Sequence, residues 1–463
     1  MGIKQKLFTD FQEVSAKAWK QNIQYELKGA DYNEKLVWES PEGIKVKPFY
    51  HADDLASQKQ SSPTAHNNWL ITQHIVVREL SLANKHAISA IAGGAESIRF
   101  TLPSPDTDLK ALLKDIDCQS VAIHCQFESA STEDIQKLTH LLSQENSPIS
   151  FHMDPIGHLA ATGNWFTNMA EDFEILSQLL QVTQTPSPKN VVTVNAELYQ
   201  NAGGTMVQQL AYALAHANEY LHRFGSKLES ITFKMAMGGN YFFEIAKIHA
   251  LRKLWKLLAA EYNITAHCHI EATPSKRNKT LYDYNMNMIR TTTECMSAIL
   301  GGADSVCNLN YDFIYHKNNS FAERIARNQL LLLKEESYFK SLQNPAEGSY
   351  YIESLTDQLA EKALILFKDM EANGGFLKQL KYHTLQKKLR ESAQKEQEKF
   401  NSQKEVLVGS NRYSSSDDRM KNQLKKPPFG TRRKEKTLIE PILESRLTEA
   451  LERERLKNEG WQG

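Results

Sequence analysis

The chain has 463 residues, in which lysine plus arginine and aspartate plus glutamate number 55 each, so no field of one sign favours nucleic acid or an anionic membrane. The five cysteines form no C-x-x-C pair, which argues against a disulfide framework and a zinc ribbon and favours a reducing cytoplasm. No signal-peptide core and no apolar run of about 18 to 20 residues occurs, so we expect a cytoplasmic protein without membrane contact.

Residues 1–60 are predicted to form an N-terminal arm, because they are polar and interrupted by the turn-rich stretches KGADYNEK and SPEG. Four aromatic residues are scattered through the arm, namely Trp19, Tyr25, Trp38 and Tyr50. Two interpretations of these residues remain open. They either pack the arm against its own domain or contact a second chain, since aromatic side chains supply much of the contact energy at interfaces.

Short β-rich runs alternate with longer helix-periodic runs from Trp69 onward. Eight runs have strand character, at residues 70–77, 97–102, 120–126, 149–153, 190–195, 230–237, 265–272 and 305–309. This alternation predicts an α/β fold, a (β/α)8 barrel of the TIM type, in a domain spanning residues 61–408. A doubly wound open sheet is the structural alternative.

The region after the barrel, residues 409–463, is predicted to be a flexible linker followed by a terminal amphipathic helix. Residues 410–436 are poor in apolar residues and rich in serine, lysine and arginine, which is typical of a linker. The last stretch, LIEPILESRLTEALERERLKNEG, returns to helical spacing. Its apolar residues on one face are Ile439, Ile442, Leu443, Leu447 and Ala450, with Leu451 at the edge.

Four long motifs between Gly238 and Ala363 carry a family resemblance. They read GGNYFFEIAKIHALRKLW, MIRTTTECMSAILGGADSV, FAERIARNQLLLLKEES and NPAEGSYYIESLTDQLAEKA. In sequence and order they resemble the cobalamin-dependent acyl-CoA mutases, the methylmalonyl-CoA mutase family. A weaker similarity extends from Leu27 to Tyr413, and the N-terminal portion is more similar to the small, or beta, chains of this family than to its catalytic chains.

One turn departs from the catalytic chains of the family. Residues 191–204, VVTVNAELYQNAGG, resemble the place where catalytic chains read roughly ISISGYHMQEAG. When Gln200 and Gly203 are aligned, Leu198 stands where those chains have a histidine. A leucine can neither donate a proton nor hydrogen-bond to a thioester carbonyl. The resemblance therefore implies a chain that is not itself catalytic, and we predict no catalytic residues in it.

The cobalamin-binding domain of the catalytic chains has a D-x-H-x-x-G loop whose histidine reaches the cobalt. The comparable string here is YLHRFG at residues 220–225, which has Tyr220 in place of the aspartate and lies in a helix-periodic segment. About 50 residues follow Tyr413, fewer than the roughly 100 of a doubly wound domain. We therefore expect no cobalamin-binding domain and no cofactor-binding residues.

With these departures, the resemblance implies a non-catalytic small subunit of a heterodimeric, adenosylcobalamin-dependent mutase that interconverts methylmalonyl-CoA and succinyl-CoA. The resemblance implies that the partner, the large subunit, holds adenosylcobalamin and all reacting groups. Two other roles stay open: a partial mutase that borrows a cobalamin domain from another chain, and a protein that assists cobalamin loading.

A metal site is the competing enzymatic interpretation. Strand alternation in AHCHIEA places His267, His269 and Glu271 on one face, and these residue types bind zinc. Further candidate ligands near the fourth strand are His152, Asp154 and His158. The alternative function is thus a stand-alone metal-dependent barrel hydrolase that uses His267 and His269. The simpler interpretation is that these groups hydrogen-bond to their neighbours, and we predict no metal ligands.

Overall fold

The structure is a computed structural model that describes residues 12, 14–54, 68–129, 133, 149–182, 191–265, 267–317, 319–341, 344–430 and 436–461. Its centre is a parallel sheet of eight strands. The strands are β1 Leu70–Val76, β2 Ser97–Leu102, β3 Ala122–Phe127, β4 Ile149–His152, β5 Val192–Asn195, β6 Ser230–Met237, β7 His267–Pro274 and β8 Ser305–Val306. Each coincides with one of the eight predicted runs to within a few residues.

The sheet closes into a barrel. Neighbouring strands follow the order β4-β3-β2-β1-β8-β7-β6-β5, and Met153 at the end of β4 pairs with Val192 of β5. The Met153 N–H donates to the Val191 carbonyl at 2.9 Å, and the Thr193 N–H donates to the Met153 carbonyl at 3.1 Å. This order confirms the predicted (β/α)8 barrel, and the doubly wound open sheet is wrong.

Helices surround the barrel and precede it in the arm. In chain order the described α-helices are α1 Ala16–Glu26, α2 Tyr32–Leu36, α3 Leu80–Ala92, α4 Leu109–Leu112, α5 Pro155–Thr162, α6 Met169–Val182, α7 Glu197–Asn201, α8 Met206–Phe224, α9 Tyr241–Glu261, α10 Met286–Leu300, α11 Ser320–Leu331, α12 Tyr350–Ala372, α13 Gly375–Lys381, α14 Thr384–Asn401 and α15 Glu449–Asn458. Short 3₁₀ turns lie at Ala52–Asp54, Gly225–Lys227 and Phe339–Ser341, and a π-helical turn, Leu332–Glu336, extends α11. Among the described helices, none combines the length and apolar character needed to cross a bilayer.

A carboxylate of the arm hydrogen-bonds to the barrel domain. Two short antiparallel strands, Trp38–Glu39 and Lys45–Val46, enclose a turn that contains Glu42. Glu42 accepts hydrogen bonds from the N–H groups of Met206 at 2.8 Å and Val207 at 2.9 Å, in the first turn of α8. A carboxylate is stabilised there because helix N-termini carry partial positive charge and free N–H groups.

The aromatic residues of the arm fall into two groups. The Trp38 ring lies 5.9 Å from that of Phe243, and the Tyr50 ring lies 5.1 Å from that of Tyr351, so these two contact the chain's own barrel domain. In contrast, Trp19 and Tyr25 on α1 are 48% and 81% exposed, and none of the residues of α1 is buried. Within the described part of the chain, this helix thus has contacts such as that of the Lys20 ammonium, 4.8 Å from the centre of the Tyr32 ring, but no fully buried residue.

The predicted terminal helix is shorter than its apolar spacing suggested. Only Glu449–Asn458 is helical, and the residues between 438 and 446 are irregular. Pro441 explains the difference, because proline lacks a backbone N–H and disfavours the helical conformation of the residue before it. Ile439 and Ile442 still pack into the main core, whereas Leu443 is about half exposed.

Residues 409–430 and 436, which lie in the predicted linker, are described, whereas 431–435 lie outside the described residues. Met420 and Phe429 pack with Tyr282 and Leu456 in a small apolar cluster beside the barrel. The division of the chain into arm, barrel and flexible C-terminal region stays a prediction.

Candidate functional site

The interior of the barrel is polar, whereas the outer face of its sheet is apolar. Strand β2 gives the pattern: Ile98, Phe100 and Leu102 alternate with Ser97, Arg99 and Thr101, and all six are buried. Arg99 forms an ion pair with Glu271 of β7, which is not a neighbour of β2, so the Ser97–Arg99–Thr101 face must point into the barrel. The apolar face consequently packs against the surrounding helices.

Two polar contacts cross this interior. Arg99 pairs with Glu271, and the Lys234 ammonium of β6 donates to the Gln126 side-chain oxygen of β3. The sheet order separates both pairs by intervening strands. Because Arg99 and Glu271 are 8% and 2% exposed in their side chains, their attraction is screened little by water. The middle of the barrel is thus filled with long charged and polar side chains.

Buried histidines continue this polar network. His124 Nδ1 of β3 lies 2.8 Å from His152 Nε2 of β4, whose Nδ1 lies 2.9 Å from the Thr193 hydroxyl of β5. The His269 ring stacks on that of His124 at 6.1 Å, and His74 Nε2 lies 2.8 Å from the Thr101 hydroxyl. Burial, followed by nearby His269, Arg99 and Lys234, lowers the pKa of His124 to about 3. This histidine is therefore neutral at pH 7.

Lys234 also has a strongly altered environment. Burial and then the nearby Arg99 guanidinium lower the pKa of Lys234 to about 7, and Glu197 opposes them. A lysine in this state carries its charge only part of the time at neutral pH.

Leu198 lies at the end of the barrel where strands finish, the end at which TIM barrels place their active sites. Helix α7, Glu197–Asn201, begins directly after β5, and Leu198 is 3% exposed within the main apolar core. Beside it, the side-chain carbonyl or carboxylate oxygens of Asn195, Glu197 and Gln200 are buried without a hydrogen-bond partner among the described residues. The apolar side chain of Leu198, which the sequence resemblance aligns with a histidine of the catalytic chains, thus lies among polar neighbours.

The structure does not assemble the candidate metal ligands. His267 is exposed at the first residue of β7, remote from the end where strands finish, while Glu271 is paired with Arg99. The His158 ring stacks 3.9 Å from that of Phe166. Within the described ranges, no group of three or more histidine, cysteine, aspartate or glutamate residues is arranged to hold a metal ion.

Asp154, another candidate ligand, organises the start of α5 instead. Its carboxylate accepts hydrogen bonds from the N–H groups of Gly157 and Asn195, at 2.8 and 2.7 Å, and from the Tyr220 hydroxyl at 2.6 Å. His216 Nε2 lies 2.9 Å away. Burial acts to raise the pKa of Asp154, but His216 and these donors hold it below its usual value. With these partners the carboxylate has a structural role in holding α5, α8 and the end of β5 together.

The cobalamin-like string YLHRFG does not form a ligand loop. It lies at the end of α8, as predicted, where Tyr220 is buried and bonded to Asp154. His222 Nε2 lies 3.2 Å from the side-chain nitrogen of Asn218, one helical turn before it. A histidine held on a helix between side chains of its own domain does not fit the role of a cobalt ligand.

Comparisons with known proteins identify the family of the chain. The family model described as methylmalonyl-CoA mutase matches residues 104–458. The methylmalonyl-CoA mutase small subunit of Porphyromonas gingivalis is 34% identical over 446 residues, which cover 89% of this chain and 71% of that protein. The chain belongs to the methylmalonyl-CoA mutase family. The resemblance seen in the sequence motifs is thereby confirmed.

Two further relatives support this membership. The methylmalonyl-CoA mutase of Cereibacter sphaeroides is 28% identical over 463 residues, covering 86% of this chain and 64% of that protein. The methylmalonyl-CoA mutase small subunit of Streptomyces virginiae is 29% identical over 380 residues, covering 76% and 61%. The chain thus spans roughly two thirds of the length of the curated relatives it matches.

Sequence reasoning missed most residues of the polar interior, namely His74, Arg99, His124, Gln126 and Lys234. A signal for them was present. Strands β2, β3 and β6 read SIRFTL, AIHCQF and SITFKMAM, in which polar residues recur mostly at every second position of a buried run. Such a pattern indicates a strand with one polar face even when both faces are covered.

Proposed function

We propose that the chain is the non-catalytic small subunit of a heterodimeric, adenosylcobalamin-dependent methylmalonyl-CoA mutase. Its partner, the large subunit, holds the cofactor and interconverts methylmalonyl-CoA and succinyl-CoA. The present chain contributes no catalytic, cofactor-binding or metal-binding residue, and it stabilises the large subunit by binding it.

The observation that carries this proposal is Leu198. Acyl-CoA rearrangement needs a group at the reacting end of the barrel that can hydrogen-bond to a thioester carbonyl, and a leucine side chain has no such group. The contacts of Arg99 with Glu271 and of Lys234 with Gln126 add a second argument. They occupy the interior that a substrate inside the barrel would need.

Adenosylcobalamin would supply the radical chemistry of the rearrangement. The described residues of this chain do not fit it, because His222 lies on α8 with Asn218 as its neighbour. We therefore propose that the large subunit holds the cofactor.

The arm, residues 1–60, is proposed as a contact with the large subunit. Helix α1 exposes Trp19 and Tyr25, while Glu42, later in the arm, is hydrogen-bonded to the first turn of α8. A lone helix of this length is marginal in water unless its apolar residues pack against something, and the partner subunit would provide that surface. The proposal also places the complex in the cytoplasm, which is consistent with the absence of disulfides among the five cysteines, all of them described.

Native mass measurement of the mixed chains tests this proposal. We expect a one-to-one complex between this chain and a methylmalonyl-CoA mutase large subunit. Replacing Trp19 and Tyr25 by serine should weaken the complex at least tenfold, since the few residues that dominate an interface are enriched in Trp and Tyr and contribute about 2 kcal/mol or more each. The matched control replaces Tyr338 and Tyr382, two aromatics outside the arm that are each 67% exposed. Absence of any complex would reject the subunit role, and equal effects of both variants would reject the arm as the contact.

A further inference from the structure

A C-terminal segment crosses the end of the barrel where the strands finish. We call residues 438–448 the strap. Its backbone N–H groups at Ile439 and Ile442 donate to the carbonyls of Gly163 and Ala160, at 3.1 and 2.8 Å, at the end of α5. Further along, Ser445 N–H donates to the Asn201 carbonyl at 3.1 Å, and Leu447 N–H donates to the Arg277 carbonyl at 3.0 Å. The strap thus joins the chain after β4, β5 and β7.

Close packing holds the strap in place. Gly163 has φ +84°, and a Cβ added there would lie 2.5 Å from the Ile439 carbonyl oxygen, closer than Cβ atoms come to such atoms. Ile439, Ile442, Leu447 and Thr448 are buried on the side of the strap that faces the molecule. The strap is therefore held by its apolar residues together with Arg446, which is buried, pairs with Glu452 and donates to the Lys279 carbonyl at 3.2 Å.

Beneath the strap, the loop after β7 presents three cations. Lys276, Arg277 and Lys279 pair with Glu444, Glu396 and Glu294, at 2.9, 2.5 and 2.7 Å. Glu294 lies on α10 and Glu396 on α14, so they belong to the surrounding helices. Only Lys276 takes its carboxylate from the strap.

The pair of Lys276 and Glu444 is reachable from solvent. Each side chain is 38% exposed, unlike the buried pair of Lys279 and Glu294. Glu444 also accepts from the Asn201 side-chain nitrogen at 3.2 Å. Burial acts to lower the pKa of Lys276, but Glu444 and Glu197 more than offset it, so the pKa lies above its usual value and the ammonium is charged.

We propose that Glu444 is an internal competitor for a ligand anion at this end of the barrel. An external carboxylate or phosphate would make the same charge-assisted contacts to Lys276 and Asn201 that Glu444 makes. Such an anion binds this chain by displacing Glu444 and the adjoining part of the strap. Only molecules in which the strap is displaced can bind the anion. Because these molecules are a small fraction of the total, the apparent affinity is lower than the intrinsic affinity in the same proportion.

Titration calorimetry on the full chain, with malonate and with inorganic phosphate as separate probes, tests this inference. Glu444→Gln should bind at least one probe about tenfold more tightly than the parent chain, because the competing charge is gone. The matched control is Glu440→Gln, which removes the ion pair of the strap with Arg390 and leaves Lys276 occupied. This control should bind like the parent chain. A response to malonate alone identifies the ligand group as a carboxylate, and a response to phosphate alone identifies it as a phosphate.

Hydrogen exchange gives a second readout on the same samples. A saturating probe should speed exchange of the Ser445 and Leu447 amides in the parent chain, because their hydrogen bonds to Asn201 and Arg277 open. Equal affinity of the parent and Glu444→Gln chains would overturn the inference, as would binding that leaves strap exchange unchanged.

This inference goes beyond the proposed function, because it concerns anion binding by the isolated chain. It needs neither the large subunit nor turnover. Failure of the subunit proposal would appear as a missing complex, whereas failure of this inference would appear as unchanged affinity in Glu444→Gln.

Discussion

Arg99 on β2 and Glu271 on β7 form an ion pair across the interior of the barrel. Both residues come from the middle of their strands, and both side chains are almost completely buried. The pair therefore connects two parts of the sheet that share no backbone hydrogen bonds. It also fills the axis along which a ligand inside the barrel would lie.

Breaking this pair on one side should destabilise the chain strongly. Glu271→Met or Arg99→Met leaves one buried charge without its partner, and we expect a loss of about 3 to 5 kcal/mol in the free energy of unfolding. The double variant Arg99→Met with Glu271→Met should lose less than the sum of the two single variants, because no charge remains buried. Urea unfolding of the four chains measures this coupling. Additive losses would mean that the two side chains do not interact.

Acid should destabilise the chain through its buried histidines. The pKa of His124 is about 3 in the folded chain against an ordinary value of 6.5. Between these values the unfolded chain binds the proton and the folded chain does not, so stability falls as the pH decreases from 6.5 towards 3. His124→Asn should reduce this fall by up to about 1.4 kcal/mol per pH unit. Unfolding free energies at pH 7, 6, 5 and 4 give the slopes, and equal slopes for both chains would contradict the assignment.

Lys234 should make the stability of the folded chain depend on pH in the alkaline range. Its pKa is about 7 in the folded chain and 10.5 ordinarily, so between these values only the unfolded chain holds the proton. Stability should therefore rise as the pH increases from 7 to 10.5, with no further contribution from Lys234 below pH 7. Lys234→Met should remove that rise. The check is chemical unfolding at pH 7, 8 and 9 for both chains. A rise that persists in the variant would have to come from another group.

Gly163 should be necessary for the strap. Gly163→Ala places a methyl group against the Ile439 carbonyl and also strains a backbone with φ +84°, so residues 438–448 should exchange their amide hydrogens faster. Gly348 provides a matched control, since it has φ +79° and open space around the added Cβ. Gly348→Ala should show the backbone cost of about 1 to 2 kcal/mol without a change at the strap. If both variants left strap exchange unaltered, close packing at Gly163 would not be what seats the strap.

The barrel could be predicted because each strand contains its own local pattern. Eight β-rich runs separated by helix-periodic segments are readable one at a time, and their sequential order then follows from the fold. The position of Leu198 directly after β5 could be predicted in the same way, because it depends on a single turn.

The contacts between side chains inside the barrel could not be predicted in this way. Alternation in AHCHIEA correctly places His269 and Glu271 on one face, yet it does not say which side of the sheet that face covers. The partner of Glu271 is Arg99, which is remote in sequence, and it depends on the register of all strands between them. For the same reason, the sequence suggested that Glu271 could be a metal ligand, whereas in the structure it forms an ion pair with Arg99.

The C-terminal region shows a different limit. The spacing of Ile439, Ile442 and Leu447 resembles that of a helix, but Pro441 interrupts it and the segment is irregular. These residues are buried because the strap lies against α5, α7 and the loop after β7, not because a helix face is apolar. Local spacing alone does not distinguish the two cases.

Turnover of methylmalonyl-CoA in the presence of adenosylcobalamin shows whether this chain catalyses on its own. Three samples are compared: this chain alone, a large subunit alone, and the purified pair. We predict that the pair forms succinyl-CoA and that this chain alone forms none. Turnover by this chain alone would contradict the proposed non-catalytic role, because Leu198 cannot supply the hydrogen bond or proton that this role assigns to the large subunit.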